Sequence, residues 1–74
     1  MKTVLLVITN LPDAASAAKL ARQLIEARAV ACVNQLAPCI STYHWQGKIE
    51  TATEVPLLIK TTQAAYPRLE KLIQ

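Results

Sequence analysis

The sequence has little glycine, little charge and no long apolar run. Gly47 is the only glycine among the 74 residues, and 18% of the residues are charged. The apolar stretch over residues 3–9 is too short for a secretory core or a membrane span. The eight basic residues are scattered and form no run that would bind a polyanion. We therefore expect no signal peptide, no membrane partner and no nucleic acid partner.

The two cysteines are not expected to form a disulfide. Cys32 and Cys39 lie on one predicted strand, roughly 20 Å apart if it is extended at ~3.3 Å per residue. That separation is too large for a disulfide unless Pro38 folds the strand sharply. Without a signal peptide, the sequence favours the cytoplasm, where such thiols stay reduced.

Residues 29–60 predict a long β-hairpin that turns at Gln46 and Gly47. Glycine at the second turn position tolerates the positive φ that a tight hairpin requires. Pro38 cannot donate to a sheet ladder, so it should mark a bulge or an edge position. Arms of about 12 residues are twice the ordinary strand length of about 5–6, so we expect this hairpin to lie on another surface. The predicted pairs are Trp45 with Lys48, Tyr43 with Glu50, Leu36 with Leu57, Asn34 with Ile59, and Cys32 with Thr61.

One further strand and two helices are predicted around the hairpin. Residues 3–9 are apolar without alternation, which is typical of a strand covered on both faces. Asp13 is the predicted N-cap of the first helix, with Ser16 as the alternative, and Arg28 closes it. The second helix is predicted over residues 63–74. The predicted apolar faces are Ala14, Ala17, Ala18, Ala21, Leu24 and Ile25 on the first helix, and Leu69, Leu72 and Ile73 on the second.

The order strand, helix, strand, strand, helix predicts one α+β domain over residues 1–74. This order matches the split βαβ, ferredoxin-like topology, an antiparallel sheet with two helices on one face, without its fourth strand. The missing strand would cover the outer edge of the first, which is flat, apolar and uncharged. We therefore expect a longer polypeptide or another chain to fill that edge. The chain is 53% hydrophobic, which in so small a domain favours oligomer contacts.

Three functions of this topology are excluded by missing residues. The loop over residues 10–13 has neither the arginine nor the glycine of an acylphosphatase-like phosphate cradle. The same loop lacks the Cys-x-x-Cys pair of a soft-metal chaperone. The central strands lack the stacking aromatics of an RNA-recognition module. No nucleophile–base pair is visible either, so we expect a protein that is not an enzyme.

Five motifs stand out along the chain: Val7-Ile-Thr-x-x-Pro-Asp13, Ala31-Cys-Val-Asn34, Tyr43-x-Trp-x-Gly-Lys48, Glu54-Val-x-Leu-Leu-Ile-Lys-Thr-Thr62 and Tyr66-Pro-x-Leu-Glu70. Together they resemble the divalent-cation-tolerance (CutA) family over nearly the whole chain. The resemblance implies a ferredoxin-like subunit in a tight, PII-like homotrimer whose long hairpins reach onto neighbouring sheets. It also implies an association with tolerance to copper and other divalent metals. Family members continue with a His-Pro-Tyr segment, a strand and a short helix, so no complete metal site is carried over.

Two sets of site residues are predicted, the first from the resemblance and the second from donor chemistry. Five residues match the family pattern and are candidates for an intersubunit cleft: Cys32, Asn34, Trp45, Glu54 and Lys60. The soft donors available for copper or another divalent metal are Cys32, Cys39 and His44. Their ordinary interpretations are an inert core cysteine and a histidine in solvent. The expected function is a divalent-metal tolerance or response protein. The alternative is a PII-like regulatory module that binds a small anionic ligand or a partner protein near Lys60.

Overall fold

The computed structural model describes residues 3–73 and has the α+β, ferredoxin-like arrangement predicted from the sequence. The elements are β1 (Val4–Leu11), α1 (Ala14–Glu26), β2 (Cys32–Gln35), β3 (Cys39–Trp45), β4 (Lys48–Thr62) and α2 (Tyr66–Ile73). The sheet is antiparallel, with β4 in the centre, β1 on one side and β2 on the other, while β3 pairs with the first half of β4. Both helices contribute to the core on one side of this sheet.

Helix α1 begins at the predicted cap and ends earlier than predicted. The Asp13 carboxylate accepts a hydrogen bond from the Ser16 backbone N–H at 2.7 Å. The helix ends at Glu26, and Arg28 lies outside it with a left-handed φ of 56°. The Arg28 N–H donates to the Ile25 carbonyl and the Ala29 N–H donates to the Leu24 carbonyl, which is the Schellman pattern. The backbone, rather than the Arg28 charge, therefore closes the helix.

The Asp13 cap predicts a loss of stability at low pH. Its hydrogen bonds to Ser16 hold the pKa of Asp13 below the ordinary value of 3.8. A lowered pKa means that the stabilisation is complete above 3.8 and is lost as the pH falls through the folded-state pKa. We expect Asp13→Asn, which keeps a capping oxygen, to match the parent more closely at pH 3 than at pH 7 in thermal unfolding. Asp13→Ala should be less stable than both at pH 7, and equal midpoints for all three would contradict the cap.

The hairpin turn and the register next to it are confirmed. Gln46 and Gly47 both have positive φ, 51° and 75°, as a type I′ turn requires. Trp45 pairs with Lys48, and this register continues to Cys39 and Glu54. The predicted register beyond Pro38 is wrong by one residue. The observed partners are Lys60 for Cys32, Leu58 for Asn34 and Leu57 for Gln35, in place of the predicted Thr61 for Cys32, Ile59 for Asn34 and Leu57 for Leu36.

An extra residue on the first arm causes the shift in register. Three residues, 36–38, lie between β2 and β3, whereas only residues 55–56 separate their partners on β4. Both stretches contain a proline, Pro38 and Pro56, and neither proline has an N–H to donate. The Leu36 N–H still donates to the Pro56 carbonyl at 3.0 Å. The bulge expected at Pro38 is therefore present, and it moves every earlier side chain to the other face.

The two faces of the sheet differ in their cover. On the helix-covered face, Leu57, Ile59 and Thr61 of β4 are buried, and the Thr61 hydroxyl donates to the Ala29 carbonyl at 2.8 Å. The other face of β1 is open in the single chain, and its apolar side chains there are 64–67% exposed. We call this second surface the helix-free face; it includes Val4, Leu6 and Ile8 of β1, Cys32 and Asn34 of β2, and Leu58 and Lys60 of β4.

Three predictions about which faces of β1, α1 and α2 are buried are corrected. Strand β1 alternates between half-buried and exposed residues and is not covered on both faces, because only one side of the sheet carries helices in this chain. On α1 the buried residues are Ala17 and Leu24, whereas the predicted Ala14, Ala18 and Ile25 are exposed. On α2, Leu69 is buried and Leu72 is exposed.

Helix α2 begins three residues later than predicted. The Thr62 hydroxyl accepts a hydrogen bond from the Ala65 N–H at 3.2 Å, which holds residues 63–65 in a turn before Tyr66. Pro67 then lies in the first turn, where its missing N–H has no helical partner to lose. The predicted final residue, Gln74, lies outside the described residues.

Candidate functional site

The helix-free face brings together three of the predicted cleft residues. Cys32 lies directly opposite Lys60, and Asn34 lies opposite Leu58. The Cys32 Sγ is 3.8 Å from the Asn34 Oδ1, at hydrogen-bonding distance for a thiol. On the far side of β4, Lys60 is opposite Leu6. The polar residues Cys32, Asn34 and Lys60 are therefore next to exposed aliphatic side chains.

Trp45 and Glu54 lie further along the same side of β4. Glu54 pairs with Cys39, and Trp45 pairs with Lys48 at the turn. Because side chains alternate along a strand, the even residues of β4 and their partners continue the helix-free face onto the ribbon formed by β3 and the first half of β4. All five cleft candidates thus share one side of the sheet, although Trp45 is at the tip, far from Cys32. The molecule is accordingly long, with extents of 43 × 24 × 19 Å.

The three soft donors do not meet within one chain. Cys32 is half-buried on β2, and Cys39 is exposed at the start of β3. His44 pairs with Ile49, on the side of the ribbon opposite to Cys39 and Trp45. Among residues 3–73, no group of three His, Cys, Asp or Glu side chains is close enough to hold a metal ion. The donor set predicted from the sequence is therefore not assembled by a single copy.

The ribbon exposes large apolar side chains on both sides. Ile40 and Ile49 are 75% and 71% exposed on one side, and Tyr43 and Trp45 are 43% and 62% exposed on the other. Large apolar side chains left exposed in one region favour contact with another surface. We therefore expect the ribbon to pack against another surface.

An open groove of about 550 Å³ lies between the end of α1 and the edge strand β2. The exposed ion pair between Arg22 and Glu26, 2.9 Å long, lies on its helix side, and such surface pairs contribute little stability. Sequence reasoning missed this groove because Ile25 was assigned to the core. Its lining residues are Ala21, Arg22, Ile25, Glu26, Ala31, Cys32 and Val33.

No helix in the described part of the chain is long and apolar enough to cross a membrane. Residues 5–74 match the family model described as CutA1 divalent ion tolerance protein. This match covers the ribbon and all of the helix-free face except Val4.

Proteins of known sequence and structure agree with this match. The chain is 37% identical over 68 residues to the divalent-cation tolerance protein CutA of Thermus thermophilus, covering 92% of this chain and 66% of that protein. It is 38% identical over 63 residues to Protein CutA of the mouse, covering 85% of this chain and 36% of that protein. The crystal structure of CutA1 from Shewanella sp. SIB1 superposes with a TM-score of 0.91 at 38% identity, covering 99% of this chain and 69% of that one. The chain thus spans about a third to two thirds of the length of these two sequence relatives.

Proposed function

The chain belongs to the CutA1 divalent ion tolerance family, and on that premise we propose that it is a homotrimeric divalent-metal tolerance protein. In this proposal, the metal ion binds between copies of the chain. The protein acts by binding rather than by catalysis. Its two free thiols favour a reducing compartment such as the cytoplasm.

The observation that supports an intersubunit site is the position of Cys32. Its thiol and the Asn34 side chain are neighbours on the helix-free face, and residues 3–73 bring no three His, Cys, Asp or Glu side chains close enough together to hold a metal ion. The exposed aliphatic side chains around them, such as Leu6 at 65%, favour burial by a second copy. A neighbouring copy that covers this face would supply the missing donors.

In this proposal, the ribbon of a neighbouring copy supplies the soft donor that joins Cys32. Cys39 lies on the side of the ribbon that continues the helix-free face, whereas His44 lies on the opposite side. One ribbon packed against Cys32 of the next copy therefore presents Cys39 or His44, and not both. We favour Cys39, because it lies on the side of the ribbon that continues the helix-free face. A site with two thiolates is selective for soft ions, and copper is the first choice.

Titration of the reduced protein with Cu(I), Cu(II) and Zn(II) tests this site. We expect Cys32→Ser and Cys39→Ser each to raise the Kd for copper by at least about 100-fold, beyond the 10–100-fold that loss of a supporting contact costs. His44→Ala is the matched control and should bind copper nearly as tightly as the parent. Copper binding unchanged in the Cys32→Ser, Cys39→Ser double variant would contradict the metal site.

Lys60 supports a second candidate function. Its side chain is exposed between Leu6 and Cys32, and the one ion pair found among the described residues joins Arg22 to Glu26 instead. A cation on an apolar face suits a small anionic ligand or an acidic partner protein, as in a PII-like regulatory module. A thermal shift with nucleotides or carboxylates, independent of metal and lost in Lys60→Ala, would favour this function over metal binding.

A further inference from the structure

Two cross-strand pairs on the helix-free side of the sheet each join a cysteine to a charged residue. Cys32 of β2 lies opposite Lys60 of β4, and Cys39 of β3 lies opposite Glu54 of β4. Both pairs lie on the same side of the sheet, because side chains alternate along β4 and both charged residues are at even positions. One thiol therefore has a cation beside it, and the other thiol has an anion beside it.

Neither of these two charges is balanced within one copy. The ion pair found among residues 3–73 joins Arg22 to Glu26, so in the described chain Lys60 and Glu54 have no oppositely charged group at ion-pair distance. They cannot pair with each other, because they lie six positions apart on β4, roughly 20 Å at ~3.3 Å per residue. Glu54 is nevertheless half-buried, where a cation stabilises a carboxylate more than it does in open solvent.

The helix-free face and the ribbon have complementary charges. Lys60 is the only charged residue of the helix-free face as far as the structure describes it. The side of the ribbon that continues this face has two carboxylates, Glu50 and Glu54, and one cation, Lys48. Lys48 lies two positions from Glu50 but six positions from Glu54. Glu54 is therefore the carboxylate that lacks a nearby cation on its own side of the ribbon.

We propose that Glu54 of one copy pairs with Lys60 of the next copy, and that this ion pair sets the position of the ribbon on the helix-free face. The inference rests on the proposed contact between these two surfaces. Contact between the two thiols places their charged neighbours against each other as well, so one arrangement satisfies both pairs. A small anion at Lys60, the second candidate function, would then have to displace the Glu54 carboxylate.

Charge reversal tests the ion pair, with association measured by sedimentation velocity in the absence of metal. Lys60→Glu and Glu54→Lys each set like charges together, so we expect each to lower the association constant at least about 100-fold. The double variant restores an opposite pair and should associate within about 10-fold of the parent. The two positions are too distant to interact within one chain, so such rescue requires contact between copies. A double variant that is weakened by the sum of the two single effects would overturn the proposal.

Glu50→Lys provides the matched control, because it reverses the other carboxylate on the same side of the ribbon. Lys60→Glu combined with Glu50→Lys should associate no better than Lys60→Glu alone. Rescue by Glu50→Lys to the same extent as by Glu54→Lys would overturn the assignment of Glu54. Circular dichroism checks that every variant is folded.

A mixture of the two single variants, Lys60→Glu and Glu54→Lys, separates the ion pair from the proposed trimer. A mixed ring of three copies always leaves one contact between like charges, so we expect the mixture to associate more weakly than the double variant. Equal association would support the ion pair but would show a closed assembly of two copies, which contradicts the trimer. A parent protein that associates through this pair and binds no copper would support the ion pair and contradict only the metal site.

Discussion

Leu6→Glu is expected to separate the proposed trimer into single chains without unfolding them. Leu6 is 65% exposed in one chain and lies opposite Lys60. In the single chain, the new carboxylate stays in water beside a cation and costs little. In the proposed assembly it would be buried against aliphatic side chains, and burial of an ion costs several kcal/mol. We expect the association constant to fall by at least about 1000-fold, since each factor of ten is about 1.4 kcal/mol.

The control for this prediction adds the same charge elsewhere. Ala18 is exposed on α1, on the other side of the sheet from Leu6, so Ala18→Glu should leave the association constant unchanged. Sedimentation velocity at several concentrations measures both variants, and circular dichroism checks that they are folded. Identical association of Leu6→Glu and Ala18→Glu would show that the helix-free face is not an interface. Leu6→Glu also retains the three soft donors Cys32, Cys39 and His44. Because the proposed metal site forms only between copies, we expect this variant to lose copper binding all the same.

Leu57→Ala is expected to remove a large part of the stability of the subunit. The Leu57 side chain is fully buried on the central strand β4, and truncation of a core leucine costs about 2–5 kcal/mol. A domain of this size has a total free energy of unfolding of only about 4–11 kcal/mol, at about 0.05–0.15 kcal/mol per residue. We expect the variant to be partly unfolded at 37 °C, as urea denaturation at a fixed protein concentration would show.

The adjacent leucine provides the matched comparison. Leu58 is the same residue type on the same strand, but it faces the helix-free side and is only half-buried in one chain. Leu58→Ala should cost less than Leu57→Ala in dilute protein and should weaken association instead. An equal loss of subunit stability in both variants would mean that the two faces of β4 are not distinct.

The parts of the fold that local chemistry determines were predicted from the sequence. Gly47 is the only glycine, and the turn forms there because glycine tolerates the positive φ that the turn requires. Asp13 caps α1 through Ser16, as its side-chain oxygen allows. The order of elements followed from the hydrophobic patterns and from these two residues, which mark the hairpin turn and the start of α1. That order already predicted the ferredoxin-like topology, the resemblance to the CutA family implied the same fold, and the structure confirms it.

The register of the first arm and the geometry of the site required the structure. A bulge was expected at Pro38, but its size is set by the pairing of residues 36–38 with residues 55–56, which no local rule fixes. The one-residue error paired Cys32 with Thr61, which is buried in the structure. In the structure Cys32 is half-buried opposite Lys60, because a shift of one residue exchanges the two faces of a strand. Whether a second copy supplies metal donors is likewise a property of the assembly rather than of the sequence of one chain.

The mass of the reduced protein in solution tests the central claim that copies of this chain cover the helix-free face and the ribbon. Native mass spectrometry at micromolar concentration should find three copies. The fluorescence of Trp45, 62% exposed in one chain, should then be blue-shifted by burial against a neighbour. A folded single chain at that concentration, with the emission of a tryptophan in water, would contradict the account.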